Sequence, residues 1–509
     1  MKKNVVIIIL VFLSQAMAGQ TTFSKIFGDS TKAYGGTAIT CFHDSIYFSL
    51  FEQDYPYTYQ AGTLIKLNSQ GDQIASRRFF KPHFYYFIGY PGAIRISSDG
   101  YLLCAGNSGP LGGAISDRGN FFKINRTTFD TIFTREYSHG NISGFNGVSE
   151  LNNGNYVFMG IDGDTSINNS SAWLVSTDTL GSIIWQKALS SATYNEGNAA
   201  YSFPGGFYQQ WTSAHPFTVN NNADSAIFLD RYDNAGNLQW RDTFGIIGKE
   251  NIAGPYTALK DGGSLLYINS LDTGSINDLI DMPSILYRID TDGAIVWQRY
   301  FPSSPNFTLI NSIIESSSGN ILLCGKIQTG YISIDTEGHG NGAIIKLNKD
   351  GNMIFNQAYD YDSTWLDQLF DITETSDGGY AAIGRAAERI GNINYERAWL
   401  LKVDSNGCLN GNCPSLATGI DELKQAIDFF IFPNPASTSF TIALAGPQDI
   451  SRHQDLIFSL YDLTGRLVYQ QHLTEQTTVI QRRDFSDGLY IWNLSDGSTH
   501  LTDGKIAFR

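Results

Sequence analysis

The chain has 509 residues, long enough for more than one domain. Its 42% of hydrophobic and 16% of charged residues exclude a disordered protein, while 51 glycines, 27 tyrosines and 32 phenylalanines suit short strands joined by tight turns. A formal charge of −15 excludes nucleic acid as a partner, because phosphate contacts need clustered Lys and Arg.

Residues 1–18 read as a signal peptide. Lys2 and Lys3 precede the apolar run Val5 to Leu13, and Ala16-Met17-Ala18 supplies a small-x-small cleavage site. That run is too short for a membrane span, which needs about 20 apolar residues. Gly19, not Cys, stands directly after the cleavage point, which argues against a lipid anchor. The mature protein is expected to be soluble and exported, through the periplasm, to the cell surface or beyond it.

Residues 19–414 keep a period. A turn glycine entering an apolar strand recurs at Asp99-Gly100-Tyr101, Asn153-Gly154-Asn155, Gly205-Gly206-Phe207, Asp261-Gly262-Gly263, Ser318-Gly319-Asn320 and Asp377-Gly378-Gly379, with a weaker copy at His43-Asp44. About thirty residues after each comes an Asp- or Asn-rich turn, a Gly and an aromatic four positions later, as in Gly181 with Trp185, Gly236 with Trp240, Gly293 with Trp297 and Gly351 with Phe355. Phe129 with Phe133 keeps the aromatic and loses the Gly; Gly71 and Gly407 keep the Gly and lose the aromatic. Two markers at one period predict seven four-stranded units, hence a seven-bladed β-propeller. Residues 21–28 match the fourth strand that the seventh unit lacks, and are expected to close the last blade and the ring. The Asp-x-x-Gly-x-x-x-Trp spacing is similar to the tryptophan-docking repeat of quinoprotein propellers and to repeat propellers of exported Bacteroidetes proteins.

Chemistry is sparse. The eight histidines are scattered, and no metalloprotease pair, nucleophile elbow, phosphate loop or dinucleotide fingerprint is present. Asp162-Gly163-Asp164 and Asp290-Thr291-Asp292 resemble fragments of a calcium loop without the full ligand series, and turn chemistry explains them better. No catalytic residue, metal site or cofactor is predicted. Tyr208, Trp211 and Trp365, together with Tyr85-Tyr86-Phe87, depart from the repeat and are the candidate ligand-contact aromatics. Cys41, Cys104 and Cys324 lie in apolar strands, whereas Cys408 and Cys413 close a short polar loop and are expected to pair as a disulfide.

After a linker at 415–426 the pattern changes. Phe429 to Phe432, Phe440 to Leu444, Ile457 to Asp462, Leu467 to Tyr469, Gly488 to Trp492 and the terminal strand predict a small immunoglobulin-like β-sandwich at 427–509. This stretch resembles the type A C-terminal sorting domain of the Bacteroidetes type IX secretion system. The matching positions are Pro433-Asn434-Pro435, Tyr461-Asp462-x-x-Gly465-Arg466, Gly488-x-Tyr490 and the basic end Lys505 to Arg509. The resemblance implies recognition by an outer-membrane translocon, then tail cleavage with release or attachment to surface lipopolysaccharide. The whole reads as an exported propeller that binds an unknown glycan or protein without catalysis. A polysaccharide hydrolase or lyase, a quinoprotein-like enzyme and a structural surface component are the alternatives.

Overall fold

The computed structural model describes residues 20–29, 31–54, 57–111, 117–164, 169–189, 194–214, 226–245, 250–271, 284–301, 306–329, 340–361, 366–390, 393–411, 413, 429–432, 436–444, 456–475, 477–482, 485–496 and 499–508. The signal peptide, the linker, Pro433-Asn434-Pro435 and Arg509 lie outside them. The chain divides into two units, residues 1–414 and 415–509, and the described residues of both are strands and turns without helix.

The first unit is a propeller of seven antiparallel blades. Six are continuous in sequence, at residues 33–79, 84–137, 142–189, 194–244, 250–301 and 306–359. The seventh takes three strands from 366–403 and its fourth from Phe23–Phe27, which pairs antiparallel with Ile393–Val403.

The second repeat marker is the device that joins the blades. In each third-to-fourth turn an Asp or Asn side chain accepts backbone N–H bonds, Asp178 from Leu180 and Ser182, Asp233 from Ala235 and Asn237, Asn348 from Asp350 and Asn352. The glycine three positions on holds a left-handed backbone, φ +83° at Gly181 and +82° at Gly236. On that glycine rests the aromatic ring of the preceding blade. A Cβ at Gly236 would stand 2.6 Å from Trp185, one at Gly351 3.2 Å from Trp297 and one at Gly407 2.9 Å from Phe355. Only glycine lets the ring come so close. Polar atoms reinforce the contact: Trp240 Nε1 donates to Thr291 O at 2.9 Å and Arg299 to Gly351 O at 2.7 Å.

This device accounts for the irregular copies. The docking aromatics hold one register, Trp185 opposite Ser176, Trp240 opposite Arg231 and Phe355 opposite Lys346, each two residues before the turn Asp or Asn. Phe23 lies opposite Lys402 in that same register, and a Cβ at Gly71 would meet its ring at 2.8 Å. The closing strand therefore supplies the aromatic that follows Gly407 in no other way. In blade 1 the register position is Ala75, opposite Lys66, and the blade 2 turn carries Phe129 at φ +64° instead of Gly. Both pack in one core cluster with Tyr47 and Phe122. The missing ring of one blade is replaced by a ring from the next.

The second unit is a sandwich. One sheet pairs Phe429–Phe432, Ser439–Leu444 and Thr477–Gln481; the other runs Leu467–His472, Leu456–Tyr461, Gly488–Asp496, Thr499–Phe508. Phe440, Phe458, Leu460, Leu494, Ile506 and Phe508 fill its core. Its turn at Asp462 is the propeller turn again, with Oδ1 accepting from the N–H of Thr464 and Arg466 and Gly465 at φ +83°.

Candidate functional site

An antiparallel four-stranded blade sends its first-to-second and third-to-fourth turns to one end of the ring. Its second-to-third connection and the link to the next blade go to the other. The first end is the more regular: five of its seven first-to-second turns share one geometry, blades 1 and 4 turning instead through two residues. Those five repeat one backbone bond, from Gly100 to Ser97, Gly154 to Leu151, Gly262 to Leu259, Gly319 to Ser316 and Gly378 to Thr375. At the other end the second-to-third connections follow no common length, from two residues at 391–392 to twelve at 272–283. Variable connections on a rigid scaffold are where binding groups are usually carried.

Three polar groupings stand at or toward this end. In blade 1 Glu52 is buried and receives Lys32 Nζ at 2.5 Å, Arg78 Nη2 at 3.1 Å and Tyr59 Oη at 2.7 Å. Burial pushes its carboxyl up, but the bonds from Lys32, Tyr59 and Arg78 hold it below the ordinary value. In blade 2 burial raises both Tyr85 and its partner Asp117. Between blades 2 and 3 His139 Nδ1 lies 2.7 Å from Asp162 Oδ2, while Asp162 Oδ1 accepts from Gly140 N at 2.6 Å and Ser143 Oγ at 3.1 Å. The Asp162 side chain is 9% exposed and His139 53%. The buried carboxylate fixes Nδ1 as the donor in neutral imidazole, so Nε2 is the acceptor. Residues 139 and 162 are far apart in sequence and no motif joins them, which is why sequence reasoning missed the pair.

The aromatic candidates fare differently. Tyr208 and Trp211 are 0% and 1% exposed, Tyr208 packing between blades 4 and 5 and Trp211 between blades 3 and 4. Tyr208 donates to Gly262 O at 2.7 Å. Trp211 occupies the column held by Gly160, Gly325 and Gly384 in blades 3, 6 and 7, beside the bulge of the first strand. Its ring stacks on Phe228 at 4.3 Å under the Arg241 guanidinium, and its Nε1 donates to Asp230 at 3.1 Å. Asp230, fully buried, also takes both Arg241 bonds at 2.7 Å and Tyr232 Oη at 3.0 Å, so its lone pairs are filled within the blade. Trp365 lies outside the described residues. Tyr85, Tyr86 and Phe87 are partly buried in the first strand of blade 2.

Among the described residues no three His, Cys, Asp or Glu gather as a metal site. Asp290 Oδ1 accepts from the N–H of Asp292 and Ala294, which is turn chemistry. Cys104 and Cys324 are buried and burial pushes their thiols up, and it pushes the Cys41 thiol up to about 12, so none is a ready nucleophile. The sulfurs of Cys408 and Cys413 stand 2.07 Å apart, at bonding distance. In the tail Tyr490 is buried and donates to Ser486 O, Gly465 and Gly488 hold left-handed backbone in open space, and Lys505 is exposed.

Residues 430–507 match the family model described as the secretion system C-terminal sorting domain. The chain is thus a seven-bladed propeller that carries a type IX secretion sorting domain, and its partner through that tail is the type IX machinery. Such a tail sends its protein to the cell surface or out of the cell. No curated protein matches the chain. Among solved structures it is similar to the β-propeller domain of the trilobed protease of Pyrococcus furiosus, at 9% identity, 77% of this chain, 99% of that one and TM-score 0.42. An ulvan lyase is similar at 10% identity, 75% of this chain, 96% of that one and TM-score 0.47. Likenesses this distant say nothing of ligand or activity.

Proposed function

We propose that the protein is an exported binding module, led out by its signal peptide and presenting a glycan or protein ligand to the end of the ring where the variable connections lie. One observation carries this reading: the two ends are built from the same strands, yet at one end five of the seven first-to-second turns repeat one backbone bond, while at the other the second-to-third connections share no common length. Connections that vary on a rigid scaffold are where binding groups are usually carried. The test is a glycan array and a surface-protein pull-down with the chain lacking residues 1–18. Replacing 272–283 by a two-residue turn should abolish whatever binding is found; binding unaffected by shortening each variable connection in turn overturns the reading.

A second reading, an enzyme acting on polysaccharide, draws on the half-exposed His139 held by Asp162. It expects turnover of a polysaccharide panel that falls at least about a hundredfold in His139→Gln. Absence of turnover across the panel disposes of it.

A further inference from the structure

The outer face of the four-stranded sheet in the sorting domain is not the polar surface that a water-facing sheet normally shows. Phe458, Leu460, Tyr490, Leu494, Ile506 and Phe508 turn to the core, so the residues alternating with them face outward. One outward row crosses all four strands in register, Leu467 opposite Tyr461, Tyr461 opposite Ile491, Ile491 opposite Lys505. Leu467 is 46% exposed, Ile491 39%, Leu489 in the next row 41%, and Leu463 in the adjoining turn 67%. The row spans about 15 Å at ordinary strand spacing. On the far side of it the same face becomes polar, with Gln470 opposite Ser459 and Ser459 opposite Asn493.

The motif positions bracket this patch. The Asp462–Gly465 turn leads into Leu467, Gly488 precedes Leu489, and Lys505 ends the row. Yet Asp462 and Gly465 make the same turn that the propeller repeats in its blades, so the turn by itself distinguishes nothing. What differs is the apolar continuation. In the propeller an exposed Ile183 or Ile295 after the turn pairs with a buried residue, Thr177 or Ile289. In the tail the row stays outward across the sheet. A domain whose partner is the secretion machinery offers here a contiguous apolar departure from a solvated face.

We propose that this row, Leu467, Tyr461 and Ile491 with Leu463 and Leu489, is the surface by which the sorting domain docks on the type IX machinery. The partner it fits is an apolar patch of that machinery, since Arg466 beside the row is already paired with Asp462 at 3.1 Å.

The experiment uses the full chain in a type IX-competent host and measures the fraction delivered outside the outer membrane. Leu467→Arg with Ile491→Arg is compared with Val479→Arg, a still more exposed apolar residue (56%) on the other sheet. Thermal unfolding of each purified chain checks the fold, and the milder pair Leu467→Ser and Ile491→Thr stands in if the arginine pair does not fold. Delivery should fall by about tenfold or more in the row variants, as for a docking hot spot, with Val479→Arg at the wild-type level. Unchanged delivery overturns the proposal, as does an equal loss in Val479→Arg. So does a full chain that self-associates through the row, becomes monomeric in the variants and is still delivered, since the row's occupant is then a second copy.

Discussion

Gly236 and Gly154 share a left-handed backbone, φ +82° and +83°, but a Cβ would meet the Trp185 ring at 2.6 Å in the first and nothing within 4 Å in the second. Alanine at either position strains the backbone by about 1 kcal/mol. At Gly236 it also forces the ring off its seat, and overpacking adds about 1–3 kcal/mol. Urea midpoints should therefore separate Gly236→Ala from Gly154→Ala clearly. Asp230 raises the opposite issue, a buried charge. It stands where the other blades place Ile65, Phe122, Val175, Tyr287, Ile345 and Leu401, so the sequence already marks it as foreign to its column. What the sequence does not tell is that Trp211, also foreign to its column, bonds to it inside the blade. A deviation from the repeat reads equally well as a grafted site or as half of a compensating pair. Asp230→Ala leaves Arg241, Trp211 Nε1 and Tyr232 Oη without their acceptor, and should lower stability by about 3–5 kcal/mol in the same measurement.

At the scale of an element, the Asx turn and the closing strand carry the fold. Asp462 is held at about 2, first by the Thr464 hydroxyl and then by the N–H of Arg466, and hydrogen bonds likewise lower Asp178 and Asp233. A carboxyl depressed below its unfolded value of about 3.9 contributes stability that is complete above that pH and is lost as pH falls through the folded value. The turns at Asn68, Asn125 and Asn348 make the same bonds without titrating. Asp178→Asn and Asp233→Asn should then flatten the acid limb of propeller unfolding below about pH 4, followed by circular dichroism. The closing strand was legible because residues 21–28 resemble Trp240-Arg241-Asp242-Thr243-Phe244-Gly245, the fourth strand of another blade. Setting Phe27-Gly28 on Phe244-Gly245 puts Phe23 where Trp240 stands, and Phe23 does hold that register opposite Lys402, docked on Gly71. Phe23→Ala should lower stability by about 3–5 kcal/mol, the range for a buried Phe, and expose the first and last blades to limited proteolysis before the others.

For the whole molecule, the ring and the tail are two compact units, and the division makes delivery and binding separable quantities. The blade count, the ring and the tail were legible because each rests on a local pattern repeated or recognisable in sequence. The His139–Asp162 and Glu52–Arg78 groupings were not, because antiparallel strand pairing within a blade, rather than any local spacing, brings their side chains together. Two changes test the separation. Replacing residues 272–283 by a two-residue turn such as Gly391-Asn392 shortens a connection whose closure entropy differs by only about 1.5 kcal/mol, so the thermal midpoint should hold or rise slightly. Ligand binding at the variable end should disappear in this variant while delivery stays at the wild-type level. Deleting residues 415–509 should do the reverse, abolishing delivery and leaving the propeller transition and its binding intact. Calorimetry of the full chain, the loop variant and the deletion, read beside a delivery assay and a ligand-binding assay, measures these outcomes. A propeller that melts early without the tail, or a loop variant that is no longer delivered, would show that the two units depend on each other.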